Sequence, residues 1–250
     1  MDGVLPLSPS LDSVGSIGRS VECVAAVDAV LSQQEMILDT ADITGIRLGL
    51  PMQHVLDDMD EQTQAAFSKI LAELANKGVI IIDLSVPELL EIPNINSKGG
   101  FPAAEAYKFH AAWIEAHPQH YDQRVLARIL RGKQQTEQDY ASLIVARDWL
   151  IKSVALRTRD IDALIMPTVP LVAPPLDALS DDKEFTRINL LMLRNSTVVN
   201  LLDRCAITLP CHGAGEIPVG FTLVGEHDGD KKLLTLAFNI ERMVLKEFHK

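Results

Sequence analysis

Positive charge is scarce in this chain. Its 23 Lys and Arg stand against 34 Asp and Glu, a formal net charge of -11 and a pI near 5.0. Phosphate backbones are gripped by concentrated Lys and Arg, so nucleic acid is excluded as a general partner. Long apolar runs are also missing. The longest, around 79–82, is strand-sized and far from the ~20 residues that cross a bilayer, so no membrane partner is expected. The N-terminal region has no basic stretch followed by an apolar one, so it does not read as a secretory leader. Cysteine is sparse: Cys23, Cys205 and Cys211 are an odd number without framework spacing. That pattern fits a reducing compartment, and the expected address is the cytoplasm.

What remains is ordinary for a folded protein with a core: 47% hydrophobic and 23% charged residues over 250 positions. No internal repeat or composition break marks a boundary, so residues 1–250 are expected to form a single domain. The densest charge run, Asp57-Asp58-Met59-Asp60-Glu61, reads as a solvated loop entering a helix. It lacks the spaced carboxylates and glycine of a calcium loop.

Periodicity supplies the elements. Ser20 is placed to cap a helix carrying Val24, Val27, Val30 and Leu31 at helical spacing. A short strand over 47–51 is followed by an amphipathic helix over 60–77, with Ala66, Ile70, Leu71 and Leu74 on one face and Gly78 at its end. Residues 79–84 are nearly all apolar, as in a strand covered on both faces. This strand–helix–strand order predicts a parallel crossover and an α/β class. Residues 87–102 read as loop, and helices are predicted over 103–117, 121–131 and 136–158. A strand over 162–166, a helix over 184–202, strands over 206–209 and 219–224, and a helix over 230–248 complete the chain.

The opening run, from Asp2 to Val21, contains Pro6-Leu-Ser8, Leu11-Asp12, Val14-Gly15 and Arg19-Ser20-Val21. Further on come Thr136-Glu-Gln-Asp-Tyr140 with Arg147, and Asp162-Ala-Leu-Ile-Met-Pro167-Thr-Val-Pro170 with Ala173-Pro174. Asn200-Leu-Leu-Asp-Arg-Cys-Ala206-Ile-Thr-Leu-Pro210-Cys and Ile217-Pro-Val-Gly220-Phe-Thr-Leu-Val-Gly225 follow, then Asp230 and Leu233-Leu234. Each piece alone is weak. In this order they resemble the amidase signature family over nearly the whole chain.

The resemblance implies an α/β/α sandwich around a mixed, largely parallel sheet, incomplete relative to the full amidase fold. It also implies hydrolysis or transfer of amide nitrogen through a Ser–cis-Ser–Lys triad, the lysine deprotonating a bridging serine that activates the nucleophile. The family carries that triad in Ser/Gly-rich stretches upstream of the opening run, and neither stretch occurs here. The expectation is therefore a C-terminal portion of an amidase, inactive alone, with no catalytic residue, metal or cofactor of its own. The alternative is a non-catalytic protein or split-enzyme subunit acting by association. The partners expected are a small-molecule amide substrate in the full-length family and, for this chain, a second copy or an N-terminal amidase half.

Several side chains invite sharper readings. Ser97-Lys98-Gly99-Gly100 brings serine, lysine and glycines together, but adjacent side chains in an extended segment point apart, so a solvated loop is expected. His110, His117 and His120 near Asp122 lack paired zinc spacing, and Pro118 interrupts the helix between them. Cys205 and Cys211, with His212, match no zinc template and read as core thiols. Cys23 stands where the family has an acid three residues after the capping serine, so the helix start is expected to be weaker by about 0.5–1 kcal/mol. Ser16 and Gly18 replace the family's frequent Pro and Ala. Arg128, in Arg124-Val-Leu-Ala-Arg128-Ile-Leu-Arg-Gly132, resembles an arginine that grips a donor carboxylate in the glutamyl-tRNA amidotransferase branch. It is the one candidate substrate-binding residue, since guanidinium geometry suits bidentate carboxylate capture. Thr222 stands in place of the family's frequent Gln, and no acid precedes Asn200 at the spacing that branch uses, so the glutamine-dependent branch is not expected.

Overall fold

The computed structural model describes residues 3–244. Among them, residues 3–15 and 88–153 form one compact unit, and residues 16–87 and 154–244 form another.

The second unit is built on a five-stranded sheet: β1 (Arg47–Pro51), β2 (Ile80–Leu84), β3 (Ala163–Pro167), β4 (Ala206–Pro210) and β5 (Gly220–Val224), in the order β2-β1-β3-β5-β4. β1 pairs parallel with β2 and β3, while β5 pairs antiparallel with β3 and β4. The sheet is mixed and flanked by helices, the α/β class read from the sequence.

Strand alternation assigns the faces. Leu48, Leu50, Ile165, Ile207, Leu209, Phe221 and Leu223 lie in one core with residues of α1 (Val21–Ser32), α2 (Glu61–Asn76) and α8 (Asp230–Met243). The opposite face of β3 is equally dry, with Leu164 and Met166 each 1% exposed. β3 is fully buried because it has a strand on either side and cover on both faces.

The crossover helix α2 follows from local chemistry. The Asp60 carboxylate accepts the Thr63 N–H at 2.7 Å, Phe67, Ile70 and Leu74 fill the buried stripe, and Gly78 takes the left-handed conformation that stops the helix. α7 (Asp182–Leu202) begins in the same way, capped by Asp181.

Three expectations are corrected. β2 is an edge strand, not one covered on both faces: Ile80 is 45% exposed, and Ile81 and Ile82 are half-buried. An apolar run records β propensity but not rank within the sheet, and here the strand pairs only with β1. In α1 the buried residues are Val21 and Ala25, whereas Val27, Val30 and Leu31 are exposed. Its inward face is set by packing on α8, which the apolar spacing does not report. Residues 87–102 are not plain loop. Pro87–Glu91 is a 3-10 turn and α3 (Ile92–Ile95) a single helical turn, with Pro93 in the first turn, where a missing N–H costs nothing.

The weakened start of α1 has a remedy from far along the chain. Ser20 Oγ accepts the Cys23 N–H at 3.2 Å, and the Glu241 carboxylate of α8 accepts the Val21 N–H at 3.1 Å. A carboxylate at the positive end of the helix stands in for the acid missing at Cys23. α8 was expected to reach 248; it is assigned to Met243, and positions 245–248 lie outside the described residues.

The first unit is helical: α4 (Gly100–Ala116), α5 (Gln123–Leu130) and the greater part of α6 (Glu137–Thr158). Leu126 and Ile129 of α5 pack with Ala106 and Ile114 of α4. The turn Arg131–Gln134 presses on α4 through Gly132, where an added Cβ would stand 1.9 Å from the Ala103 carbonyl oxygen. Thr136 and Asp139 exchange bonds at the start of α6: the Asp139 N–H donates to Thr136 Oγ1 at 3.1 Å, and the Thr136 N–H donates to Asp139 Oδ2 at 2.9 Å.

Candidate functional site

In the first unit, two of the recurrent motifs meet on one carboxylate. Glu105, on α4, accepts hydrogen bonds from Ser8 Oγ at 2.6 Å, the Ser10 N–H at 3.1 Å, Ser10 Oγ at 2.5 Å and Tyr140 Oη at 2.6 Å. Arg147, one helical stretch beyond Tyr140, donates from Nη1 to the Ser10 carbonyl at 3.0 Å and lies over the Phe101 ring. Phe101 in turn meets Tyr140 edge to face. The opening segment is itself folded into a turn: Asp12 accepts the N–H groups of Leu7 and Ser8, and the Ser8 carbonyl accepts those of Leu11 and Asp12.

This arrangement holds groups in place and does not activate them. Burial alone would raise the Glu105 pKa, but the bonds from Ser10, Ser8 and Tyr140 together outweigh it and keep the carboxyl below its ordinary range. A carboxylate stabilised as the anion is a poor base toward a serine hydroxyl. Glu105 escaped sequence reasoning. The available signal was an acid four residues after Phe101, among the buried Ala103 and Ala106 of α4.

These bonds make the first unit sensitive to acid. Asp139 is held at about 2, chiefly by the hydrogen bond from Lys98 and by those from Thr136. Folded-state pKa values below the unfolded ones stabilise above the unfolded pKa, and that stability is lost as pH falls through the folded values. Near-UV circular dichroism should therefore lose amplitude as pH falls below the ordinary carboxylate range toward 2. Glu105→Gln should start from lower stability at neutral pH and show a shallower acid loss. An unchanged acid profile in that variant would contradict the assignment. Both tryptophans and all three tyrosines lie between 107 and 149, so the aromatic signal reports this unit.

In the second unit, the loops after β1 and β3 are tied together at the carboxyl ends of those strands, the edge where open α/β sheets place ligands. Asn195 of α7 donates from Nδ2 to the carbonyls of Val55 at 3.0 Å and Pro167 at 2.7 Å. Asp60 accepts the Val172 N–H at 2.7 Å while its own N–H donates to the Pro170 carbonyl. His54, buried and left-handed at φ 71, has a lowered pKa, first because of burial and then because of Arg194. Beside this edge, the hydroxyls of Thr168 and Thr222 lie 2.8 Å apart and those of Thr208 and Thr222 2.9 Å apart. Gly220 makes the approach possible, since a Cβ there would meet Thr168 Oγ1 at 2.7 Å. The threonines offer hydrogen bonds, with no base among them.

Lys98 Nζ turns to Asp139 at 2.7 Å, and the Ser97 carbonyl accepts from Arg131 Nη2 at 2.7 Å. His110 Nδ1 lies 2.8 Å from Tyr121 Oη, while His117 and His120 stack with centroids 5.0 Å apart. Burial pushes the Cys205 thiol up to about 11 and the Cys211 thiol up to about 12, so both stay protonated and unreactive. Arg128 is exposed in the last turn of α5, where a cation suits the helix dipole.

A family model described as Amidase matches residues 1–234. The chain is 29% identical to 2-amino-5-chloromuconic acid deaminase of Comamonas testosteroni over 98% of its own length and 54% of that protein's. It is 24% identical to indoleacetamide hydrolase of Rhizobium radiobacter, over 97% of this chain and 56% of the relative. A crystal structure of an amidase superposes with a TM-score of 0.83 at 25% identity, covering 97% of this chain and 55% of that one. Allophanate hydrolase of Kluyveromyces lactis shares the fold, with a TM-score of 0.80 at 23% identity over 97% of this chain and 41% of that one. The chain spans about half the length of the curated relatives it matches.

Proposed function

The chain belongs to the amidase family, and from that premise we propose that it supplies the part of an amide-hydrolysing enzyme that follows the catalytic segment and acts only together with that segment. The observation that carries this reading is the order of the motifs, which begins with the Pro6-Leu-Ser8 run and continues to Leu234 without the Ser/Gly-rich stretches. The matched share of the relatives, about half, supports it. In this reading the lysine, bridging serine and nucleophile come from the catalytic segment, and no metal or cofactor enters. The present chain contributes the sheet, the strand-end loops and Arg128, which would take the carboxylate of an acidic amide. The sparse cysteines, without framework spacing, favour a reducing, cytoplasmic address.

The test is kinetic. The purified chain, incubated with aliphatic, aromatic and amino-acid amides, should release no ammonia above blank. Co-expression with the upstream half of an intact amidase should restore turnover. In that complex Arg128→Ala should raise KM for a carboxylate-bearing amide about tenfold, the size of one charge-assisted pair, and leave a neutral amide nearly unchanged. Turnover by the chain alone that survives Ser97→Ala with Lys98→Ala would sink the reading, and equal losses on both amides would make Arg128 structural.

A second reading, a subunit acting by association without catalysis, is favoured by the uncovered edge strand β2 and by exposed Val27, Val30 and Leu31 on α1. It predicts a stable dimer or hetero-complex in sedimentation, with no hydrolysis after the upstream half is supplied.

A further inference from the structure

We propose that Glu105 is a positioning residue: a latch whose single carboxylate sets where the opening segment, residues 7–12, lies on α4 and α6. The segment is more than ninety residues from its anchor in sequence, and four donors converge on that anchor from two directions. Ser8, 2% exposed, sits under the segment with its hydroxyl committed to Glu105, so the contact is not a surface accident. The segment's other hold among the described residues is polar as well, from Arg147 to the Ser10 carbonyl. Leu5 and Leu7 are 71% and 60% exposed, so apolar burial does not fix the chain there.

Neighbouring polar side chains serve the same task. Arg147 on α6 is engaged with the Ser10 carbonyl, which fixes the far side of the turn that Glu105 holds by its hydroxyls and N–H. Asp12, within the segment, is directed inward to the N–H groups of Leu7 and Ser8 and closes the turn on itself. Tyr140, on α6, carries its proton toward Glu105. The turn is therefore a preformed unit, docked by Glu105 on one side and by Arg147 on the other. Whatever chain is joined before residue 7 has its exit point and direction set by that dock.

This positioning matters for chemistry only on the amidase reading, on which part of the proposal rests: the catalytic segment would join the chain at this point. A tilt of the turn would then misplace the nucleophile, and misplacement by about 1 Å can cost about a hundredfold in rate. Glu105 would act through the segment and touch no substrate.

The experiment has two arms. In the first, amide hydrogen exchange is measured on the chain itself at neutral pH for wild type, Glu105→Gln, Glu105→Ala and Tyr140→Phe. The Ser10 amide should exchange on the order of tenfold faster in Glu105→Gln, corresponding to the loss of one charge-assisted bond. Leu11 and Asp12 should follow, Tyr140→Phe should show a smaller rise, and amides inside α4 and α6 should keep their protection. Unchanged exchange at Ser10 in both Glu105 variants would overturn the latch. So would an equal loss of protection throughout α4 and α6, which would make Glu105 a general structural residue. In the second arm, the chain is complemented with an upstream amidase half, and Glu105→Gln should lower kcat several-fold at unchanged KM. A rise in KM at unchanged kcat would overturn the positioning role. If wild-type complementation yields no turnover, the amidase reading fails, and the first arm still decides whether Glu105 holds the segment.

Discussion

Asn195→Ala should destabilise the sheet unit by about 2–4 kcal/mol, read from chemical unfolding followed by far-UV circular dichroism. Asn195 is 1% exposed, and its amide group serves two main-chain carbonyls at once, those of Val55 and Pro167. Alanine would strand the Pro167 carbonyl where water is excluded. It would leave Val55 with only the Arg194 donor, at 3.2 Å, and would also deprive Arg194 Nε of its acceptor, Asn195 Oδ1. Removing one partner of a buried bond costs more than the bond contributes net, because the remaining group keeps its desolvation penalty. Leucine should do no better, since it fills volume but supplies no donor. A loss below about 1 kcal/mol would mean that the two loops rearrange to satisfy each other, and Asn195 would then not be the tie between the ends of β1 and β3.

Gly132→Ala should cost the helical unit about 3 kcal/mol and disturb the placement of α5. The added Cβ would stand 1.9 Å from the Ala103 carbonyl oxygen and 2.6 Å from its carbon, and the obstructing atoms are helix backbone, which cannot swing aside. Relief requires the Arg131–Gln134 turn to lift from α4, carrying with it the last turn of α5 and Arg128. Gly15→Ala is the matched control, because a Cβ there meets nothing within 4 Å. Near-UV circular dichroism, whose tyrosine and tryptophan signals all arise from this unit, would follow the transition. Equal stability of the two variants would show that the close approach of turn and helix is not maintained in solution.

The two substitutions also mark different depths of legibility. Gly132 was visible as the last residue of the Arg128-Ile-Leu-Arg-Gly132 stretch, although only the structure shows what it leans against. Asn195 offered no signal, being one amide in a long helix. Its function exists only because α7 brings it beneath two strand ends, 28 and 140 residues away in sequence.

By itself the sequence determined the α/β class, the helices α2, α4, α5, α6 and α7, the strands, the parallel crossover and the family. Those features are written in local terms: the stop at Gly78, apolar periodicity, and motifs whose order survives without any knowledge of distance. Tertiary structure alone decided which strand is an edge, which face of α1 is buried, how Glu241 serves the helix start left short by Cys23, and that Ser8, Ser10, Glu105, Tyr140 and Arg147 form one cluster. The reason is the same in each case. Capping and periodicity act over three or four residues, so they can be read along the chain. Burial and hydrogen-bond satisfaction are settled by whichever groups the fold brings within 3 Å, and for Glu105 those donors stand 35, 95 and 97 residues away.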